Sequence, residues 1–395
     1  MVTRNDALAQ LEAADWLQRD ETQQLFAVLD GAEGRTRAVG GIVRDTLLGR
    51  WHGTDLDLAT ELLPLEVIER ADAAGIAAYP TGIDHGTVTL KVDNLTAEVT
   101  TLREDVETDG RHAVVRFGSD WARDAERRDF TMNALYAGGD GVLFDPLGGF
   151  DDCLAGRVRF IGEPDRRIAE DRLRVFRFFR FSASHGGEHF NTEGLAACRR
   201  AAGDLTGLSA ERVGAEMRRM LALPKLAKTL AAMRDIGILA LNDTDHLARY
   251  EQIAAPPLAA GRLALFVAAD GADAVQARWR LANSEIKAAT DILAAARLLV
   301  GGHFHEAAYR YGHVATDAVP LAAAMDDWTG DAVSEAQLRL AGLTVPDFPV
   351  AADDLMRMGI RPGPQLGSEL SRLERLWIES GFALDRQSLL DGVKR

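Results

Sequence analysis

The chain has only two cysteines in 395 residues, Cys153 and Cys198. They make neither a disulfide framework nor a metal-binding pattern, so a reducing, cytoplasmic setting is expected. No apolar run reaches the ~18 residues that a membrane helix needs, which predicts no membrane partner. The N-terminal stretch MVTRNDALAQLEAADW is polar and amphipathic, with no signal-peptide core. Internal repeats and low-complexity tracts are missing as well. The histidines show no His-Glu-x-x-His, no His-Asp phosphohydrolase signature and no Ser-His-Asp or Cys-His set. His303 and His305, in GGHFHE, read as surface-loop residues.

What is present reads as globular: 47% apolar and 27% charged residues, in a length that suits two to four domains. The net charge of −15 argues against a polyanionic partner when taken alone. It is unevenly spread. Between Arg157 and Arg180 the local balance is +4, leaving −19 for the remainder. A concentrated basic strip in an acidic chain points to an anionic ligand better than the total argues against one.

Residues 1–27 look helical. From Thr36 to about Phe150, short apolar runs are broken by glycine, as in a sheet. RAVGG reads as a strand and IVRDTLLG as a helix that Gly49 ends. TDLDLAT alternates and reads as a strand. GTVTLKV and AEVTTLR flank the turn-like DNLT, a hairpin, and GVLFDP is a further strand. After Asp151, Ala, Leu and Arg at helical spacing take over. The expected fold class is α+β: a small sheet-containing head, then a helical remainder, with a joint near Val345–Pro349.

Asp55 and Asp57 lie two apart on the predicted strand, so their side chains share a face while Leu56 and Leu58 turn to the core. Two carboxylates aimed one way repel unless a cation sits between them. Mg²⁺ takes one or two carboxylates plus phosphate oxygens, and two such ions can clamp an in-line phosphoryl displacement. A solvated strand edge carries the same Asp-x-Asp, and glycosyltransferases use such a pair too. Gly40-Gly41 stands where the strand turns into a helix, which lets backbone N–H groups approach a phosphate, with Arg44 one turn on. The spacing is neither a Rossmann nor a P-loop pattern. A tight turn alone would also want glycine.

Two arginine-rich segments follow. ARDAERRDFTMNAL places Arg127, Arg128, Asp129 and Asn133 together, and arginines can cradle a triphosphate. The plain alternative is a charged helix start capped by Asp129. RRIAEDRLRVFRFFRF, read as one helix over 166–181, sets Asp171 and Arg174 at i and i+3 on a shared face, with Arg177 and Arg180 further along. A carboxylate and a guanidinium together can read a base edge. An exposed salt-bridged helix is the ordinary reading of such a stretch. Here Phe176, Phe178, Phe179 and Phe181 interleave with the arginines. The helix is therefore expected to be buried, and its arginines to need acceptor partners.

In this order, the segments resemble the class II tRNA nucleotidyltransferase family, the CCA-adding enzymes and bacterial poly(A) polymerases, across Arg37 to Leu221. The resemblance implies metal-holding roles for Asp55 and Asp57, with Glu98 in AEVTTLRED as a third catalytic carboxylate. It implies nucleotide contact by Gly40, Gly41, Arg44, Arg127, Arg128, Asp129 and Asn133. EDRLRVFRFFR resembles the amino-acid template that selects C or A, with Asp171 and Arg174 as readers and Arg177 and Arg180 in support. DGRHAVVRFG, Asp109 to Gly118, resembles the flexible loop that changes specificity from CTP to ATP. AERVGAEM, Ala210 to Met217, resembles the motif that steadies the neck, with Val213 in place of the usual Ile.

The implied layout is a nucleotidyltransferase head over 1–152, a neck over 153–222, a body over 223–345 and a tRNA-binding tail over 346–395. The implied reaction is template-independent addition of CCA to the tRNA 3′ end from CTP and ATP, with Mg²⁺ as cofactor and pyrophosphate released. Poly(A) addition, or RNA binding without catalysis on the same fold, are the alternatives. Arg35 and Arg37 aside, the basic signature that precedes the first motif in poly(A) polymerases is missing. TGIDHGT, Thr81 to Thr87, looks like the CCA-adding form, although Asp84 stands where Lys or Arg is common. The Leu102–Arg128 span is full length, unlike that of enzymes adding only CC. In MGIRPGPQLGSEL, Met358 to Leu370, a Gly/Pro loop opening a helix can offer N–H groups to a phosphate; a plain interhelix turn is the commoner use. The sequence leaves the oligomeric state open.

Overall fold

The computed structural model describes residues 2–51, 53, 55–109, 112–205, 207–239 and 244–393, with backbone alone for 104–109, 112–115 and 244. The chain divides into two compact units, Met1–Glu216 with Ala232–Leu239, and Met217–Ala231 with Ala240–Arg395.

The first unit opens with three helices, α1 (Arg4–Glu12), α2 (Asp15–Gln18) and α3 (Asp20–Val28). Thr3 caps α1 through a reciprocal pairing with Asp6, which satisfies end donors the helix cannot pair itself. Strand β1 (Thr36–Val39) turns through Gly40 into α4 (Gly41–Leu47), and β2 (Asp55–Thr60) follows. Helix α5 (Pro64–Ala73) leads to β3 (Ala77–Gly82), β4 (Thr87–Val92) and β5 (Leu95–Thr101). Strands β6 (Arg103–Asp109) and β7 (His112–Phe117) pair only with each other, and Gly110 and Arg111 of the loop-like segment lie outside the described residues. After α6 (Trp121–Glu126), the short strands β8 (Tyr136–Ala137) and β9 (Leu143–Phe144) complete the seven-stranded sheet, ordered β3-β4-β5-β2-β1-β8-β9.

The sheet is mixed because β2 and β5 run parallel while its other neighbours are antiparallel. A parallel pair needs a crossover, and α5 supplies it. The β4–β5 hairpin turns at Asp93, which takes a positive φ of 48°. Val39, Ala59, Leu102, Trp121, Ala125, Ala134, Tyr136 and Ile161 pack into one core against the sheet. The sequence reading missed β3, whose residues are mostly exposed and whose Pro80 is tolerated only because β3 is an edge.

Beyond Asp151 the described residues add no strand, only an isolated bridge between Phe130 and Phe160. Helices α7 (Gly149–Leu154), α8 (Pro164–Glu170), α9 (Arg174–Ser184), α10 (Thr192–Ala201) and α11 (Ala210–Leu221) follow, and α11 belongs to this unit up to Glu216. The second unit is helical throughout its described residues. Its buried Arg262 donates to Glu251 and to the carbonyls of Leu221, Leu223 and Pro224, so a full charge inside the fold is met by a carboxylate and three acceptors. The C-terminal stretch has its own core of Val350, Leu355, Leu373, Trp377, Ile378, Leu389 and Leu390. His305 lies inside a helix, Phe304–Tyr311, rather than in a loop, with its ring 5.3 Å from that of Phe382. Among the described residues, no helix is long and apolar enough to cross a membrane.

Candidate active site

Strand β2 has the burial alternation that Asp-Leu-Asp-Leu predicts: Asp55 and Asp57 are exposed, while Leu56 and Leu58 are 1% exposed. The parallel register sets Asp57 beside Glu98 and Asp55 beside Thr96 on β5. Glu98 is exposed too, so three carboxylates share one face of two adjacent strands. The cost is visible in Asp57, whose carboxyl is raised above the usual range. Withdrawal from water contributes most, then the charge of Glu98; Asp55 adds to it and Arg128 opposes it.

A divalent cation fits this donor set. It would relieve the repulsion that raises Asp57, and hard carboxylate oxygens are its preferred ligands. Among the described residues, no group of three or more His, Cys, Asp or Glu side chains is arranged to hold an ion alone.

The turn before α4 needs its glycine. Gly40 has φ 74° and ψ −120°, a conformation that a Cβ disfavours. A side chain there would also approach Arg128 Nη1 and the Asn133 carbonyl, 3.7 and 3.8 Å away. Arg128 therefore sits against the glycine turn while its charge acts on Asp57. Behind it, Asp124 holds Arg127 at 2.6 Å and Arg128 at 3.2 Å, and the Tyr136 hydroxyl donates to Asp124 at 2.9 Å. Burial pushes the Asp124 carboxyl up, but the two arginines and Tyr136 outweigh it and leave it lowered.

Arg44 stays beside the turn, its Nη2 3.7 Å from where a Cβ on Gly41 would lie. It is 7% exposed and spends its donors on Asn133 Oδ1 and on both oxygens of Asp45, 2.8 and 2.7 Å away. Its guanidinium stacks 5.1 Å over Phe181. A buried guanidinium takes the acceptors that fold against it, and α4 offers Asp45 first.

One expectation needs correction: 166–181 is not one helix. Helix α8 stops at Glu170, and Asp171 is extended at φ −148°, ψ 103°. Asp171 makes a local turn before the next helix: its Oδ1 accepts from Leu173 N at 3.0 Å and its carbonyl from Arg174 N at 3.0 Å. That local bond competes with continuing the helix. Asp171 and Arg174 therefore do not share the face of one helix. Arg174 donates to Glu170 at 2.8 Å and to the carbonyls of Arg167 and Arg127. Asp171 accepts from Arg212 of α11 at 2.7 Å.

The remaining arginines find acid partners from elsewhere. Arg177 pairs with Asp129 at 2.6 Å and lies 3.7 Å from Glu216, while Arg180 donates to Glu216 at 2.5 Å. Asp129 is no helix cap. It accepts from Phe130 N, Asn133 Nδ2 and Arg177. Burial pushes its carboxyl up, and Arg177 with Asn133 more than reverses that. Phe178 and Phe179 are fully buried, and Phe178 stacks on Phe160 with ring centres 5.5 Å apart. Residue-type reasoning missed Glu170, Asp45, Asp124, Arg212 and Glu216 as partners. The only signal was a demand for acids near the arginines, which does not say which ones.

The site's elements coincide with known family models. Residues 36–159 match the poly A polymerase head domain, and 189–241 match the probable RNA and SrmB-binding site of polymerase A. The chain is 33% identical over 378 residues to the mitochondrial CCA tRNA nucleotidyltransferase 1 of Danio rerio, covering 91% of this chain and 87% of that protein. It is 30% identical to a CCA-adding enzyme of Limosilactobacillus fermentum, over 89% and 90% of the two chains. The crystal structure of the Bacillus stearothermophilus CCA-adding enzyme in complex with CTP superposes with a TM-score of 0.70 at 27% identity, covering 92% of this chain and 94% of that one. These likenesses run through head and helical remainder alike, and the chain belongs to the class II CCA-adding nucleotidyltransferase family.

Proposed function

We propose that this protein adds C, C and A to the 3′ end of tRNA from CTP and ATP. The observation that carries the reading is the shared face of Asp55, Asp57 and Glu98 beside the Gly40 turn and Arg128. When bound there by Asp55 and Asp57 with phosphate oxygens, Mg²⁺ supplies charge neutralisation at the α-phosphate and lowers the pKa of the attacking hydroxyl. Glu98 stands beside Asp57 as the third carboxylate of that face. Gly40 and Gly41 let the triphosphate approach the backbone, and Arg127 and Arg128 bring positive charge that Asp124 has oriented. The tRNA 3′-hydroxyl attacks the α-phosphate and pyrophosphate leaves. Positioning and charge stabilisation carry most of the rate.

Base choice falls to Asp171 and Arg174, each fixed by a partner of its own before any nucleotide arrives. Arg177 and Arg180 hold the helix that presents them, and Asn133 with Asp129 joins that helix to Arg44. Only Arg35 and Arg37 stand just before the glycine turn, without the basic signature of poly(A) polymerases, which favours CCA over poly(A) addition. Arg35 pairs with Asp30 at 2.8 Å, and Arg37 is stacked between Trp121 and Phe144, 4.1 and 4.3 Å away. Two buried free thiols suit a cytoplasmic setting.

The test is incubation with tRNA lacking its 3′ end, Mg²⁺ and labelled CTP and ATP. Extension by three nucleotides supports the proposal. A long A tract would make the protein a poly(A) polymerase, and no extension with retained tRNA binding would make it a binding module.

A further inference from the structure

The residue that caps the C-terminus of α9 is tied to α4 by a contact that no motif predicts. His185, which ends α9, places Nε2 3.0 Å from Asp45 Oδ1 on α4, 140 positions away in sequence. Its Nδ1 lies 2.6 Å from Ser184 Oγ, and its ring is 5.5 Å from Phe181. Asp45 in turn grips Arg44 with both oxygens, and Arg44 donates to Asn133. Asn133 donates to Asp129, which takes the guanidinium of Arg177 back on α9. The path is a closed ring of polar contacts. It leaves α9 at Arg177, crosses the Asp129–Asn133 segment and α4, and returns to α9 at His185.

We propose that His185 is a positioning residue for nucleotide selection, holding α9 against α4 through Asp45. The inference rests on the function proposed above. Within the ring His185 is the one imidazole, and it joins Asp45 of α4 to Ser184 of α9. Asp45 stays ionised because hydrogen bonds from His185 and Arg44 override the effect of burial and bring it to about 2. Burial, aided by the charges of Arg44 and Arg50, holds His185 below the usual imidazole range against the pull of Asp45. The neutral ring therefore donates from Nε2 to Asp45 and accepts at Nδ1 from Ser184. The other ionisable group beside this pair is Cys153 of α7, whose Sγ lies 3.9 Å from the Arg44 carbonyl; burial pushes its thiol up to about 12, so it stays neutral. Protonating His185 removes the acceptor for Ser184 and sets a new cation against Arg44 and Arg50. Asp45 is then shared between two cations, and its hold on Arg44 loosens.

The experiment measures kcat and KM for CTP between pH 5.5 and 8.5 on tRNA lacking its 3′ end, for wild type, His185→Gln and His185→Phe. Gln keeps a donor for Asp45 and does not titrate; Phe keeps the ring and has no donor. Taking ratios at each pH cancels the titration of Asp57, which is common to all three. His185→Gln should match wild type in kcat/KM for CTP and in discrimination against UTP at pH 8, because its amide restores the donor to Asp45. His185→Phe should lose about tenfold in kcat/KM for CTP at every pH and discriminate less against UTP, because a small displacement of a positioned group is costly. Asp45→Asn gives a second reading should the Phe variant not fold, and should reproduce its loss of discrimination. A His185→Gln variant that loses discrimination as His185→Phe does, or unchanged discrimination in both His185→Phe and Asp45→Asn, overturns the inference. A wild type that does not incorporate CTP at any pH overturns instead the function on which it rests.

Discussion

The face of β2 and β5 gathers charge of one sign, whereas α8, α9 and α11 interleave opposite signs. On the strands, Asp55, Asp57 and Glu98 stand together and the Asp57 carboxyl is raised. Around the helices, Asp129 is lowered and Arg177 raised, because each charge faces its opposite. The first arrangement holds unfavourable energy that a bound cation relieves. The second satisfies its charges internally and converts them into fixed geometry. One region is built to receive a ligand, and the other to hold still while it does.

The largest expected effect strikes the strand face. Replacing Asp57 or Asp55 by Ala should lower CTP and ATP incorporation about 10³-fold or more, since a metal site supplies several kcal/mol of transition-state stabilisation. Affinity for tRNA and the melting temperature should hold; retained incorporation would remove the metal role. Next comes the helical network. Asp129→Ala leaves the half-buried Arg177 with part of its pairing gone, and urea denaturation should show a loss of about 1–3 kcal/mol. A loss under 1 kcal/mol would mean that Glu216 compensates and that the network is not cooperative.

Arg174→Ala tests selection apart from stability. It should cut discrimination between CTP and UTP by about 10- to 100-fold, as expected for one lost base-reading side chain, while metal dependence stays unchanged. The smallest effect is opposite in sign. Asp57→Asn removes a repelling charge, so without metal at pH 7 it should raise stability by about 1 kcal/mol or less, a few degrees or less in Tm. Because the folded pKa of Asp57 lies above its unfolded value, wild-type stability from this group is present at low pH and lost as pH rises through the folded pKa. The gain from Asn should therefore shrink on acidification. Mg²⁺ should raise the Tm of wild type more than that of the variant; equal shifts would place the ion elsewhere.

Much of the strand region was legible because its information is local. DLDLAT alternates with period two, and period two alone sends both aspartates to one side. The hairpin at Asp93 and the glycine turn at Gly40 were legible for similar reasons, since both depend on what a few neighbouring residues allow. The helical region was half legible. Four phenylalanines among arginines announced burial, and burial announced that acids were required. Which acids was beyond reach: Arg174 takes Glu170 four residues back, Arg177 takes Asp129 across 48 positions, and Asp171 takes Arg212 across 41. The break at Asp171 went unseen because periodicity continues across it, while the aspartate's own hydrogen bond to Leu173 makes a local turn between α8 and α9.

By itself, then, the sequence determined which residues face water on β2, where the backbone must turn through glycine, and that α9 lies buried with charges in need of partners. These follow from side-chain period, from steric freedom at one Cα and from the cost of an unpaired charge. Only the tertiary structure decided that Glu98 stands beside Asp57, that Arg44 is tied to Asp45 and Asn133, and that His185 closes the ring. A guanidinium or a carboxylate bonds whatever the fold brings within about 3 Å, and chain separation along the sequence carries no record of that choice.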